Sequence, residues 1–522
     1  MNIKTFFIGA VYIAVLFSFD QAFAKGVQAS QTVQAIALVQ GSHSVQPPGL
    51  VQSAQPPVPA DTLRLELKEV VAMAKEQSIA SKQAATLKET RYWEWMTYKS
   101  NYQPQLSLKG ILPGYSKSSI SVQQPDGTID FRSVHNNNSS LDLSFSQRIS
   151  QTGGTIYGST SLQRFDDFDR NNTLYNGVPY GVGLVQPLFQ FNSLKWDRRI
   201  EPLKYTESQQ AYIEAMEQIS INASAYFFDL LLAQVDLQIA ETNLNNTTAI
   251  QKIADTKFEM GKVSKNEILQ LQLEALKAEK AVGIAKRDME VATYNLKAYT
   301  GLQNTDKIKL SLPKSTVAMK VVIEKALTEA FQNRSDAIAF NRKLEEAKRD
   351  VAKAKGDNGI NATLNANLGF AKSGKSIGSV YESPKDQQLL QLAIEIPILD
   401  WGRQKSRRKT ALANQQFTQY AVAQDKQNFT QKIITEVNLF EMMKGQLLLN
   451  ARAEQIAAEK YQIAKERYVL GDLSITDLSI AFQENDQAKR DYINSLRDFW
   501  GAYYQLRYLS LFDFEKNEKI KL

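Results

Sequence analysis

Two periodicities take turns along this chain. Leu141-Asp-Leu-Ser-Phe145, Ala362-Thr-Leu-Asn-Ala-Asn-Leu-Gly-Phe370 and Leu390-Gln-Leu-Ala-Ile-Glu-Ile396 alternate apolar and polar side chains, the period of a strand with one dry and one wet face. Asn, Ser and Gln on the wet face suit a barrel wall with lipid outside and water inside, although a half-buried soluble sheet gives the same pattern. Between strands, His135-Asn-Asn-Asn-Ser139 and residues 165–172 read as polar loops. Elsewhere the period is helical. Val70, Val71, Ala74, Ala84 and Ala85 predict a helix that begins near Leu63, runs to about Tyr98 and is ended by Pro104. No proline falls between Leu203 and Leu312 or after Ile398. The 67 residues of 192–258 therefore predict a helix on the order of 100 Å long, which turns at Gly261 and returns over about 30 residues. Residues beyond Ile398 do the same around Gly471, giving two coiled-coil hairpins.

The pattern is given twice. Lys257-Phe-Glu-Met-Gly-Lys-Val-Ser264 returns as Arg467-Tyr-Val-Leu-Gly-Asp-Leu-Ser474, 210 residues on (257 to 467). Pro187 and Pro397 each lie 74 residues before their glycine, and Tyr294 and Tyr504 each lie 33 after. Such constant spacing means an internal duplication whose lengths are mechanically fixed. The opening helices repeat at an offset of 256 instead (Ala74 and Ala330, Gln77 and Asn333, Leu108 and Leu364), so the first half carries 256 − 210 = 46 extra residues. These contain an expected hairpin, 141–149 with 155–164, around Gln151-Thr-Gly-Gly154. The repeats are read as 63–312 and 317–512, with a tail at 513–522. Gly261 and Gly471 are expected in left-handed backbone geometry at the helix ends.

Composition narrows the setting. Lys4, an apolar run from Phe6 to Phe19 and Ala22-Phe-Ala24 make residues 1–24 a secretory signal peptide. Residues 25–61, rich in Gln, Ser, Val and Pro, read as a disordered leader. Mean hydropathy is −0.34, and no later apolar run approaches the ~18 residues of a spanning helix. The chain has no cysteine and two histidines, His43 and His135, which argues against a metal site or a thiol nucleophile. A net charge of +7, spread along the chain, points to no nucleic-acid partner. Gly369-Phe-Ala-Lys-Ser-Gly-Lys-Ser376 matches the phosphate-binding loop letter for letter. That chemistry needs a buried strand before it and a helix N-terminus after it. The strand here is polar on one face and residues 377–384 read as non-helical, so a barrel loop is the expectation. No catalytic constellation stands out and no cofactor is expected; the chain is not read as an enzyme. Trp93, Trp95, Tyr98, Tyr102, Phe189, Phe191, Trp196 and Trp401 cluster near strand–helix junctions, where a membrane-boundary girdle would place aromatics.

The order helix, strands, Pro, long helix, Gly turn, helix, given twice behind a signal peptide, resembles the TolC-like outer-membrane efflux family. The segments that carry the resemblance are the Leu63–Ser78 opening, Gln186-Pro-Leu-Phe189, Ile396-Pro-Ile-Leu-Asp-Trp-Gly-Arg403 and the two glycine turns, over roughly 63–512. The resemblance implies an α+β membrane protein, a trimeric transmembrane β-barrel continued by a long α-helical coiled-coil tunnel in the periplasm. It implies a homotrimer in outer-membrane lipid of a Gram-negative bacterium, docked to a periplasmic adaptor (membrane fusion) protein and an inner-membrane pump of RND, ABC or MFS type. Residue by residue, it implies an acidic entrance ring at Asp477, with Ile480 where a second aspartate would stand. It implies a closing contact of Tyr468 with Asn266 and Glu267, with Leu473 in place of the usual arginine. It implies adaptor-docking turns at Gly261, Lys262, Val263 and Ser264 and at Gly471, Asp472, Leu473 and Ser474, and strand-to-helix junctions at Pro187 and Pro397. The family's simplest pattern has two strands per half, from which the added hairpin departs.

One physical argument needs no family. Four to six strands cannot close a barrel alone, since single-chain barrels begin at about eight strands. An open sheet edge cannot stand in lipid with its amides unsatisfied. Any barrel must therefore be shared. Two functions fit: a passive export duct serving efflux or type I secretion, or an outer-membrane tether or adhesin with a coiled-coil spacer. The equal 74-residue spacing favours the duct, whose mouth needs both hairpins to end at one level.

Overall fold

A computed structural model describes residues 62–261, 263–302, 307–313, 319–470 and 472–521. The signal peptide and leader expected at 1–61 lie outside the described residues. The first repeat opens with β1 (Thr62–Leu65), then α1 (Leu67–Gln77) and α2 (Ile79–Ser100). A single helix from Leu63 was the expectation, and it is corrected here. Ser78 is extended (φ −62°, ψ 152°) and its Oγ accepts the Ser81 N–H at 3.0 Å, so the chain ends one helix and caps the next at one residue. The Leu63 stretch is a strand because β7 (Lys307–Leu310) offers it a parallel partner.

Five strands follow: β2 (Gln105–Ile111), β3 (Tyr115–Gln123), β4 (Ile129–Arg148), β5 (Thr155–Asp167) and β6 (Asn172–Leu188). The long hairpin is α3 (Ser193–Glu259, 67 residues) and α4 (Lys265–Thr300, 36 residues). After β7 the second repeat gives α5 (Ile323–Asn333), α6 (Ser335–Gly356), β8 (Asn361–Gly374), the short α7 (Ile377–Tyr381) and β9 (Lys385–Glu395). It closes with α8 (Arg403–Leu470, 68 residues) and α9 (Ile475–Ser510, 36 residues), then the two-residue strands β10 (Phe512–Asp513) and β11 (Glu518–Lys519). The helices α1 and α2 have the same lengths, 11 and 22 residues, as α5 and α6. Their first residues, 67 and 323, stand 256 apart, as the sequence offset requires. The α7 turn corrects the reading of 377–384 as non-helical: Ser376 and Ser379 form a capping box that starts it. The phosphate-loop reading is no better for this, because Gly369 to Gly374 lie inside β8.

The large sheet is antiparallel throughout, in the order β2–β4–β5–β6–β8–β9. The strand β3 prolongs the β2 position, pairing with the far half of β4. Residues 135–139, expected as a loop, lie within β4. Their polar side chains find partners across the sheet: Asn137 Nδ2 donates to Asp166 and Asn137 Oδ1 accepts the Gly114 N–H, both at 3.0 Å. A strand whose polar side chains pair across the sheet is as polar as a loop, so the pattern could not separate the two.

The observed register puts one apolar face across all six strands. Leu106 stands opposite Phe145 and Leu108 opposite Leu143. Phe145 pairs with Gly158 and Leu141 with Leu162, Ile156 with Leu184 and Gly158 with Val182. Val182 pairs with Leu368 and Tyr180 with Phe370, Leu364 with Leu392 and Ala366 with Leu390. Many of these side chains are exposed, Leu390 at 78%, Leu106 at 69% and Leu368 at 62%. The opposite face carries Ser107, hydrogen-bonded to Ser144 at 2.9 Å, and Asn367, whose amide donates to the Tyr157 hydroxyl at 3.3 Å. An uncovered apolar band of this extent, backed by a polar face, is what a wall standing in lipid requires.

The main core belts the long helices partway along their length. Phe227, Phe228 and Leu230 of α3, Phe440 of α8 and Phe499 and Leu506 of α9 meet Val70 and Ala74 of α1, Ala326 and Ala330 of α5, and the β1–β7 pair. Smaller clusters farther toward the turns hold each hairpin together. Among the described residues no helix is long and apolar enough to cross a membrane.

Candidate functional site

The wall meets the helices at two equivalent corners. At the first, Pro187 is the last residue but one of β6, opposite Thr363 on β8. Phe189 then turns with φ +63° and Asn192 caps α3, its Oδ1 accepting the Lys195 N–H at 3.1 Å. At the second, Pro397 lies two residues past the end of β9. Trp401 (φ +52°) and Gly402 (φ +84°) make the turn. The Asp400 carboxylate accepts the Gly402 and Gln404 N–H groups at 3.0 and 2.8 Å, starting α8. The bond from Gln404 is the largest cause holding that carboxyl below the usual range, as an anion at a helix N-terminus should be. Phe189 (76% exposed) and Trp401 (91%) stand out at the corners. Trp95 and Tyr98, grouped with them on sequence, stack on one another, and Trp95 also stacks on Tyr205 of α3. Those two pack helices together.

At the far end of the hairpins the turns are matched pairs. Gly261 has φ +72°, the left-handed geometry expected of it; Lys262 and Gly471 lie outside the described residues. Ser264 and Ser474 cap the returning helices: Ser264 Oγ accepts the Glu267 N–H at 3.3 Å, and Ser474 Oγ accepts the Asp477 N–H at 3.1 Å. The carboxylates answer in kind. Glu267 accepts the Ser264 N–H at 2.7 Å, and Asp477 accepts the Ser474 hydroxyl at 2.7 Å. Glu267 is held below the usual carboxylate range chiefly by that backbone bond. Asp477 and Asn266 are exposed, as is Asp472, whose N–H donates to the Arg467 carbonyl at 3.0 Å.

Val263 and Leu473, equivalent in the two repeats, both turn inward. Val263 packs on Ala254, Ile268 and Leu271, and Leu473 packs with Tyr468 on Ala464, Leu478 and Ala481. Ile250 belongs to both clusters, so it ties the two hairpins together near their turns. Between the hairpins lies a groove of about 740 Å³ whose lining includes Asn246, Glu267, Tyr468, Ile480 and Asp486. Tyr468 and Glu267 thus come together within one chain. Burial, and secondarily the Glu267 charge, pushes the Tyr468 phenol up from its ordinary value. Lys257 lies over the Tyr468 ring at 5.6 Å. Leu473 is occupied with apolar packing.

A family model described as outer membrane efflux protein matches residues 140–302 and 327–510, well over half of the chain. The chain belongs to this family. A comparison with curated proteins finds no match. Solved structures agree with the efflux-family fold. The outer membrane channel CmeC of Campylobacter jejuni superposes with a TM-score of 0.62 at 16% identity, covering 87% of each chain. The outer membrane protein VceC of Vibrio cholerae gives 0.60 at 14%, over 87% of this chain and 97% of that one. The open-state outer membrane channel MtrE of Neisseria gonorrhoeae gives 0.59 at 14%, over 87% and 91%. As a member of this family, the chain is an outer-membrane efflux protein.

Sequence reasoning missed one feature of this efflux protein. Glu217 of α3 is wholly buried and takes a salt bridge from Lys75 at 2.6 Å and another from Arg507 at 2.9 Å. Arg507 in turn pairs with Asp513 in the tail and reaches the Tyr503 hydroxyl. Burial alone would raise the Glu217 carboxyl. The bonds from Arg507 and the charge of Lys75 outweigh it and hold the group below its ordinary value. The signal was there in the helical period: Glu217 falls between Ile213 and Ser224 on the buried stripe of α3.

Proposed function

We propose that three copies of this chain form one outer-membrane duct, continued into the periplasm by a helical tunnel that docks an adaptor protein and an inner-membrane pump. One observation carries the reading: every chain has a wall with an apolar face and two open edges, borne on helices whose outer apolar seams are bare. Along α8, Met442, Leu449, Ile456, Ile463 and Leu470 recur every seventh residue and each is more than half exposed, Leu470 at 77%. Along α4, Leu269, Leu273, Leu276, Val291 and Tyr294 form a second bare stripe. Heptad seams of this kind call for a partner helix. Two different stripes per chain make a head-to-tail contact, which closes into a ring.

The tether reading gains nothing from the structure, whereas a common mouth is served by paired hairpins of 67 and 68 residues outward and 36 residues back in each. The matching Ser264 and Ser474 caps of the two repeats support docking at Gly261 to Ser264 and Gly471 to Ser474, and the approach of Tyr468 to Glu267 supports closure through Tyr468, Asn266 and Glu267. Outer-membrane fractions should contain oligomers that dissociate to monomer only on heating. Cells lacking the chain should accumulate a pump substrate that wild-type cells export. Unchanged export in its absence, or recovery only as a soluble monomer, sinks the proposal.

At the mouth, three copies would set three Asp477 carboxylates around one axis, and Ile480 supplies no second layer. A single ring of like charge draws cations into a restricted opening. Replacing Asp477 by Asn keeps an acceptor for Ser474 while removing the charge. Planar-bilayer recordings of Asp477→Asn should show weaker cation preference and weaker block by multivalent cations on the periplasmic side, with oligomer stability little changed. Full preference and full block would mean that Asp477 does not line the mouth.

A further inference from the structure

We propose that β9 of one copy pairs with β2 of the next, and that all six strand positions of each chain enter the wall, closing an 18-stranded barrel. The inference rests on the shared-duct reading and adds to it the partner surface and the size of the bore. Two strands per half would give 12.

The edges are built to meet. All of β9 and all but one residue of β2 are exposed, and both carry unpaired backbone groups along one side. The chain path runs out from the helices along β2 and back toward them along β9. The contact is therefore antiparallel, like every other pairing in the sheet. Leu106 and Leu108 of β2 lie on the same apolar face as Leu390, Leu392 and Ile394 of β9. Joining the edges makes the lipid-facing band continuous and satisfies amides that lipid cannot. An unclosed edge is otherwise a site of uncontrolled pairing.

The added strands are fixed members of the wall. The β4–β5 pairing runs unbroken from Asn136 to Arg148. Their turn is fastened to the helix corner: Asn192 Nδ2 donates to the Ser150 carbonyl at 3.0 Å, and Gln186 Nε2 donates to the Thr152 carbonyl at 3.1 Å. Gln147 Nε2 donates to the Tyr102 carbonyl at 3.0 Å at the same level. A hairpin tied at its base and paired on both sides has no way to fold out.

The chain contains no cysteine, so engineered thiols report cleanly. Thr160 and Ser161 are neighbours on β5 that face opposite sides of the sheet. Purified Thr160→Cys carrying a fluorophore, in liposomes, should be quenched by brominated-chain lipids several-fold more than Ser161→Cys. A membrane-impermeant thiol reagent should instead label Ser161→Cys through the bore. Leu106→Cys combined in turn with Leu390→Cys, Leu392→Cys or Ile394→Cys should give, for at least one pair, a crosslinked ladder that stops at three chains. A three-chain ladder with Thr160→Cys unquenched would overturn the 18-strand wall while leaving the trimer standing. Trimeric particles that crosslink at none of the three pairs would overturn the β9–β2 closure. A ladder stopping at another number, or a monomer, would fail the shared-trimer reading itself.

Discussion

Arg507→Ala should destabilise the folded chain by about 3–5 kcal/mol, the usual cost of leaving one charge of a buried pair unpartnered. Glu217 is fully buried, and Arg507 supplies one of its two cationic partners. Lys75 would remain, but its side chain is 30% exposed and it is drawn toward water. Asp513, only 8% exposed at its side chain, would lose its cationic partner in the same step. The effect should appear as loss of resistance to urea and protease in detergent, a shift of roughly a hundred- to several-thousand-fold in the folding equilibrium. The pH dependence has a defined sign. The folded Glu217 carboxyl titrates below its unfolded value of about 4.3. Its stabilisation is therefore complete above that pH and is lost as pH falls through the lower, folded value. Glu217→Gln should lack this acid-induced loss. A Gln variant that loses stability over the same acid range as the native chain would show that another group carries it.

Leu368→Arg should cost about 2–4 kcal/mol per chain, the penalty of a cation near the middle of a barrel's lipid face. The side chain is 62% exposed and lies beside Val182 in the apolar band. Arg at the adjacent Asn367, which shares the polar face with Tyr157, should be tolerated, since it meets water in the bore. Assembly of urea-resistant oligomer in the outer membrane separates the two: strongly reduced for Leu368→Arg and near normal for Asn367→Arg. Equal losses would mean that the apolar face does not stand in lipid.

Much of this architecture is legible in the sequence because its lengths are repeated. Proline-free runs, strand alternation and repeated spacing together gave the long helices, the turn at Gly261 and the added hairpin. The pattern misjudged places where two physical states look alike. The Asn-rich run at 135–139 is polar as a loop would be, yet lies in a strand paired on both sides. Leu63 to Leu65 suits a helix start by composition and becomes a strand only because β7, more than 240 residues away, pairs with it. The turn residues were found by offset, but their division of labour was not. Ser264 and Ser474 cap, while Val263 and Leu473 pack inward. The buried Glu217 cluster was missed because a charge on an apolar stripe is recognisable only once its partners, Lys75 and Arg507 from two other helices, are in place.

The shared duct is tested most directly by weighing it. The 522 residues weigh 58.7 kDa. Native mass spectrometry of the particle released from detergent, on preparations that also conduct in planar bilayers, should give one species of three chains and no conducting monomer. A conducting species of one chain, or a particle of another copy number, would contradict the account.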